Sequence, residues 1–229
     1  MQSQISFEKI VENQISKWQI EQKRKYKNPL RPVITLSRIP GAFGGMLAKK
    51  LSQDLNIDLF DQEIVEQISQ NAHMSQRIVE TLDEQDRSIF DEWMAALGED
   101  HMWSYEYLQQ LTSVVAAIAA HGYAVIVGRG AGFILPKAVS LRILVTAPLE
   151  IRIRNVMKMF SVSEAEARRN VMRVESERKA FIRQYFHADL TDPVNYDVVI
   201  NTENIDVEAA AATVKELFNS RNWYQFSGM

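Results

Sequence analysis

The stretch VITLSRIPGAFGGMLAKKL, residues 33–51, has the outline of a short apolar strand, a glycine-rich turn and a helix. Gly41, Gly44 and Gly45 let backbone N–H groups turn toward one point, and a helix start adds partial positive charge there. A turn of this kind suits an anion such as a phosphate. The full phosphate-loop pattern, G-x-x-x-x-G-K-[ST], is not met, because no lysine adjoins the glycines. Lys49 and Lys50 stand a turn or more into the helix, poorly placed for a phosphate held at its start. On these residues alone, a phosphate loop and a structural turn both stay open.

Two further stretches carry chemistry. In VIVGRGAG, residues 125–132, Arg129 stands among three glycines after an apolar run, and an arginine so placed can pair bidentately with a phosphate. It is not a dinucleotide fingerprint, since position 133 is phenylalanine. From 150 to 183, nine lysines and arginines face five glutamates, in a chain whose formal net charge is -3. Ion pairs such as Arg173 with Glu177 and a solvated face explain most of these. A few could close over a polyphosphate as a mobile lid does. The histidines at 73, 101, 121 and 187 have no metal-ligand spacing, and the absence of cysteine excludes disulfides, thiolate nucleophiles and cysteine-bound metals.

The elements that must position these residues follow from periodicity. Short apolar runs at 32–37, 57–61, 123–128, 141–147 and 196–201 read as strands. Helical patterns run over 5–22, 46–55, most of 62–122, 149–160, 163 to about 185, and 206–219. Met46, Leu47, Leu51 and Leu55 are expected on one side of the second helix, and Ser163 with Glu166 has capping-box spacing. Strands alternating with helices predict a parallel sheet covered on both faces, with ligands at the carboxyl ends of its strands. That rule gathers Ser37 to Gly45, Asp61, GRGAG and APLE at one edge. The basic KRKYKNPLRP, residues 23–32, reads as a linker. At 229 residues and 46% hydrophobic, the chain is long enough for a sizeable core. Its acidic balance argues against general nucleic-acid binding. No apolar run is long enough to span a bilayer and no signal peptide is visible, so a cytoplasmic protein without membrane contact is expected.

The ordered set ITLSR…G…GG…LAKKL, LFDQEIVE, AVIVGRGAGFIL, APLEIRI, SEAEARRNVMRVESERKAFIRQYF and DPVNYDVVINTENIDVE resembles the cytidylate kinase-like family, from about residue 33 to 215. The resemblance implies a three-layer P-loop NTPase-like α/β fold with a five-stranded parallel sheet. The domain would span 31–220, with a helical monophosphate-binding insertion at 61–122 and a lid at 150–190. Residues 1–30 fall outside it as an amphipathic helix and linker.

The implied activity is magnesium- and ATP-dependent phosphoryl transfer to CMP or a related nucleoside monophosphate. Gly41, Gly44 and Gly45 would cradle ATP, Asp61 and Arg129 would bind the acceptor, and Arg173 and Arg178 would be the catalytic lid arginines, with no protein-built metal site. The departures are specific. Cytidylate kinases carry lysine where this chain has Gly44, and aspartate where it has Gly130. Phe43 stands at an expected glycine, and Met46 where the family often has arginine. The alternative is therefore a catalytically degenerate nucleotide-binding module with a regulatory or interaction role. The N-terminal helix, bearing Trp18, would either dock on its own domain or join a partner or a second copy as a homo-oligomer.

Overall fold

In a computed structural model, residues 7–22, 32–99, 106–221 and 223 are described. Five strands form one parallel sheet: β1 (Val33–Arg38), β2 (Asp58–Phe60), β3 (Ala124–Val127), β4 (Ser140–Thr146) and β5 (Val198–Asn201), in the order β2-β3-β1-β4-β5. Central β1 pairs Ile34 with Val125 of β3 and with Leu141 of β4. The strand order reverses beside β1, which opens a crevice at the carboxyl ends of β1, β3 and β4.

Helices cover both faces because both faces are apolar. Ile34, Leu36, Val125, Val127, Ile143 and Val145 pack with α2 (Gly44–Leu55) and α10 (Val207–Ser220). On the other face, Val33, Ala124 and Ile126 meet α3 (Gln62–Ser69), α4 (Ala72–Glu80), α5 (Glu84–Glu99) and α6 (Glu106–His121). Helix α6 is buried at every position from Val114 to His121, so it serves as the hydrophobic spine of this layer. Each fully buried Leu, Ile or Val contributes about 1.5–3 kcal/mol. Within α2, Leu47 and Leu51 face the core, but Met46 is 52% exposed, contrary to the expected apolar side. Two successive residues lie about 100° apart on a helix, and only one of this pair faces the sheet.

The stretch expected as a lid folds as two helices, α8 (Leu149–Phe160) and α9 (Glu164–Phe186), after the short α7 (Ala131–Ile134) that follows β3. The hydroxyl of Ser163 accepts from the Glu166 amide at the start of α9, as the capping pattern predicts. Helix α1 (Phe7–Gln22) docks on its own domain. Val11, Ile15 and Trp18 are buried, while Ile10 and Ile20 face outward. Trp18 stacks on His121 at 3.9 Å and on Phe60 at 5.8 Å. Gln14 and Lys17 bind the Asp58 carboxylate, which ties α1 to edge strand β2. The apolar stripe that suggested a partner surface is largely spent inside the chain. The linker at 23–31 and residues 100–105 lie outside the described residues, as does Ile5.

Candidate active site

The crevice beside β1 holds two adjoining cavities. One, of about 380 Å³, lies between the end of β1, the Gly128–Gly130 turn and α9, and its wall includes Arg38, Arg129, Arg173 and Arg178. The other, of about 610 Å³, lies between α2 and α3, with Gly45, Lys49, Asp61, Glu63 and Glu66 on its wall. Arg38, Gln62 and Arg129 line both. These three side chains are the partition between them.

Arg38 is the last residue of β1, where a buried strand delivers its final side chain into the crevice. Its Nη1 is buried and has no hydrogen-bond partner, and its guanidinium makes no hydrogen bond or ion pair with the described residues. Burial pulls its pKa below the ordinary arginine value; Asp61 opposes the shift and nearby Arg129 adds to it. Arg178 reaches in from α9 and donates from Nη1 to the Arg38 carbonyl at 2.9 Å. Burial, with Arg38 and Arg129 beside it, pushes its pKa down to about 10. At about 10, Arg178 still carries its charge near neutral pH, and an arginine guanidinium is not deprotonated in proteins. Like charges held together out of water are unfavourable unless an anion joins them.

Arg129 adopts a left-handed backbone (φ 49°) within the Gly128–Gly130 turn. Its Nε lies 2.5 Å from Glu66 Oε2, yet no aligned N–H bond forms, so the contact is an ion pair by distance alone. Tyr107 donates to the same oxygen at 2.7 Å, and the Phe181 ring lies 5.6 Å under the guanidinium. Burial, reinforced by that bond to Glu66, raises the Tyr107 hydroxyl far above its ordinary range. Glu66 thus orients Arg129 without covering its whole donor edge. Arg173 stands at the rim, exposed and paired with Glu177 at 2.7 Å.

The glycine loop is held from beneath. Arg152 donates from Nε to the Ala147 carbonyl at 2.9 Å and from Nη1 to that of Pro40 at 3.4 Å, and pairs with Glu175 of α9 at 2.9 Å. Asn155 donates to the Gly41 carbonyl, and the Thr202 hydroxyl to that of Ala42. With its carbonyls drawn back, the loop keeps a fixed course. Gly41 is required twice over: its φ is +82°, and a Cβ there would lie 2.5 Å from the Arg152 carbonyl oxygen. Phe43 takes the left-handed conformation (φ 58°) that a glycine would adopt freely, at a strain of about 1–2 kcal/mol. No side chain caps α2, so its first-turn N–H groups stay available to an anion.

The residues expected from the sequence divide by place. Arg129, Arg173 and Arg178 come together on the first cavity, while Gly45 and Asp61 line the second. Gly41 and Gly44 shape the loop but line neither. Asp61 is also the N-cap of α3: its Oδ1 accepts from the Glu63 and Ile64 amides at 3.0 and 2.9 Å. Lys49, set aside as poorly placed, lines the second cavity with Gly45, whereas Lys50 pairs with Asp54 at 2.7 Å. The exchange of aspartate for Gly130 has a packing counterpart. A Cβ at 130 would lie 2.2 Å from the Phe186 ring, which fills that space from α9 and stacks on Phe133. Arg38 was missed as a site residue, although a charge ending an otherwise apolar strand was a visible signal. Arg152 and Glu66 gave none, because their partners are distant in sequence.

A parallel sheet with a glycine loop after its first strand and arginines of α9 over the same edge defines an α/β protein of the P-loop NTPase-like class. The chain belongs to the cytidylate kinase-like family, whose profile matches residues 33–204. It is similar to a cytidylate kinase of Staphylothermus marinus, at 30% identity over 98 residues, which cover 43% of this chain and 55% of that protein. It is also similar to a cytidylate kinase of Methanocaldococcus jannaschii, at 29% identity over 130 residues, covering 52% of this chain and 73% of that protein. The chain thus spans about half the length of the first of these relatives. The crystal structure of an uncharacterized protein from Eubacterium ventriosum shares the fold, with a TM-score of 0.59 and 21% identity over 83% of this chain and 100% of that one. No described helix is long and apolar enough to cross a membrane.

Proposed function

We propose that this protein transfers the γ-phosphoryl group of ATP to CMP or a related nucleoside monophosphate. The observation that carries the reading is the convergence of Arg38, Arg129 and Arg178 on one crevice beside an uncapped helix start. Three cations, of which among the described residues Arg129 alone has a carboxylate within ion-pair distance, fit polyphosphate better than a neutral ligand. In the transfer, the bond from the γ-phosphorus to the β–γ bridging oxygen breaks and ADP leaves with the electron pair. A phosphate oxygen of the acceptor forms the new bond, giving a diphosphate. Positioning and charge neutralisation supply the catalysis.

In this reading the α2 amides and Gly45 receive ATP, Arg129 and Asp61 hold the monophosphate, and Arg173 and Arg178 close from the lid. Among the described residues no cluster of three or more histidine, aspartate or glutamate side chains could hold a metal by itself. Magnesium commonly binds through substrate phosphates and only one or two carboxylates, and Asp61 and Glu63 are the carboxylates of the second cavity able to serve. The metal would neutralise phosphate charge there.

A second reading, a nucleotide-binding module without turnover, is favoured by one observation: Phe186 fills the space that any side chain at 130, the implied aspartate included, would enter. Calorimetric titration with ATP–magnesium and with CMP, joined to a coupled assay for ADP, separates the two. ADP formed only when a monophosphate is present supports the kinase. Saturable binding of both nucleotides without ADP, tested across CMP, UMP, dCMP and AMP, refutes it in favour of the second reading.

A further inference from the structure

The lysine missing from the glycine loop has a structural replacement. A Cβ on Gly44, the position of that lysine in cytidylate kinases, would lie 2.6 Å from Arg38 Cβ and 3.3 Å from Arg38 Cδ. Any side chain at 44 would therefore begin against the stem of Arg38, with Leu36 Cδ2 also 3.3 Å away. From there the Arg38 side chain runs toward the third strand's turn, with Nη1 3.7 Å from the Cβ position of Gly128. It therefore crosses from the glycine loop to the arginine turn, along the partition shared by the two cavities. Its Nη1 is buried and unpartnered. A buried donor without an acceptor costs stability, and its retention at such a place is explained if a ligand oxygen completes it.

We infer that Arg38 supplies, from the end of β1, the cation that the lysine supplies from α2 in cytidylate kinases, and that it contacts the transferring phosphoryl group where the two cavities adjoin. The inference rests on the phosphoryl-transfer reading above for what the crevice binds. Glycine at 44 and arginine at 38 are then one paired solution: a side chain at 38 leaves room only for glycine at 44. A planar guanidinium can also bond an oxygen on each side of the partition, which an ammonium does as a point charge.

The probe is adenosine pentaphosphate cytidine, whose chain spans donor and acceptor sites. Its dissociation constant is measured by calorimetry for the wild type, Arg38→Lys, Arg38→Gly, Gly44→Lys and the Arg38→Gly/Gly44→Lys double variant. Thermal unfolding of each variant in parallel confirms that it is folded. Arg38→Gly is expected to weaken the probe about 10- to 100-fold, the usual effect of losing one charged hydrogen-bond partner. Arg38→Lys should lose less than Arg38→Gly. Gly44→Lys alone should bind poorly, because its stem meets Arg38. The double variant should recover at least tenfold over Arg38→Gly, its lysine entering the vacated space. Wild-type binding of the probe by Arg38→Gly, no recovery in the double variant, or no probe binding by the wild type would each overturn the inference. The ADP assay stands apart from this result: a chain that binds the probe through Arg38 but forms no ADP refutes the kinase reading alone.

Discussion

Replacing Arg38 by methionine should make the ligand-free protein more stable and less responsive to nucleotide. The side chain keeps its apolar stem, which packs beside Gly44, and loses a buried Nη1 that has no partner. An unsatisfied buried donor costs about 1–3 kcal/mol, more when charged. The attraction of Asp61 offsets part of this, and the repulsion from Arg129 adds to it. A net gain of about 1–2 kcal/mol is expected, which for a domain of this size raises Tm by about 2–8 °C. No side-chain bond is lost, since Arg178 binds the backbone carbonyl of residue 38. The ligand response moves the other way. At a nucleotide concentration 100 times Kd, binding stabilises the wild type by about 2.7 kcal/mol; a 100-fold weaker variant gains only about 0.4 kcal/mol at the same concentration. Scanning calorimetry of both proteins, with and without ATP–magnesium plus CMP, reads the two quantities together. A methionine variant less stable than the wild type without ligand would refute the reasoning, because Arg38 would then be a structural cation.

Glycines 41 and 45 should behave oppositely. Gly41→Ala forces a left-handed residue against the Arg152 carbonyl and should destabilise by more than about 2 kcal/mol, whereas Gly45→Ala has nothing within 4 Å and should leave Tm within about 2 °C while weakening ATP by titration if a phosphate approaches there. Glu175 is held below its ordinary value of 4.5: burial would raise it, but Lys179 and Arg152 outweigh burial. A depressed carboxylate contributes stability that is full above its unfolded value and is lost as pH falls through the folded one. Glu175→Gln should therefore cost about 3 kcal/mol at pH 7, with Arg152 left buried, and flatten the fall in stability below about pH 4.5 in denaturant titrations. Trp18→Ala should destabilise by about 3–5 kcal/mol in urea unfolding, because the ring is buried between Phe60 and His121; an unchanged midpoint would refute the docking of α1.

The local signals in this chain set its elements. Alternating helical and short β-branched apolar runs specify α8, α9, α10 and every strand to within a few residues, and parallel strand order then places their loops at one edge. That Arg129, Arg173 and Arg178 stand at this edge was legible for the same reason, since each follows a strand or lies on a basic helix face. Periodicity could not decide which residue of an adjacent pair turns inward, as Met46 shows, nor whether the stripe of α1 meets its own domain. Those outcomes depend on surfaces far away in sequence. The same limit hid what matters most in the crevice. The loop glycine at 44 looks like the loss of a cation when read along the chain. Only packing across α2 and β1 shows the stem of Arg38 where a side chain at 44 would begin. Sequence order records neighbours along the backbone, while charge desolvation and excluded volume act between neighbours in space.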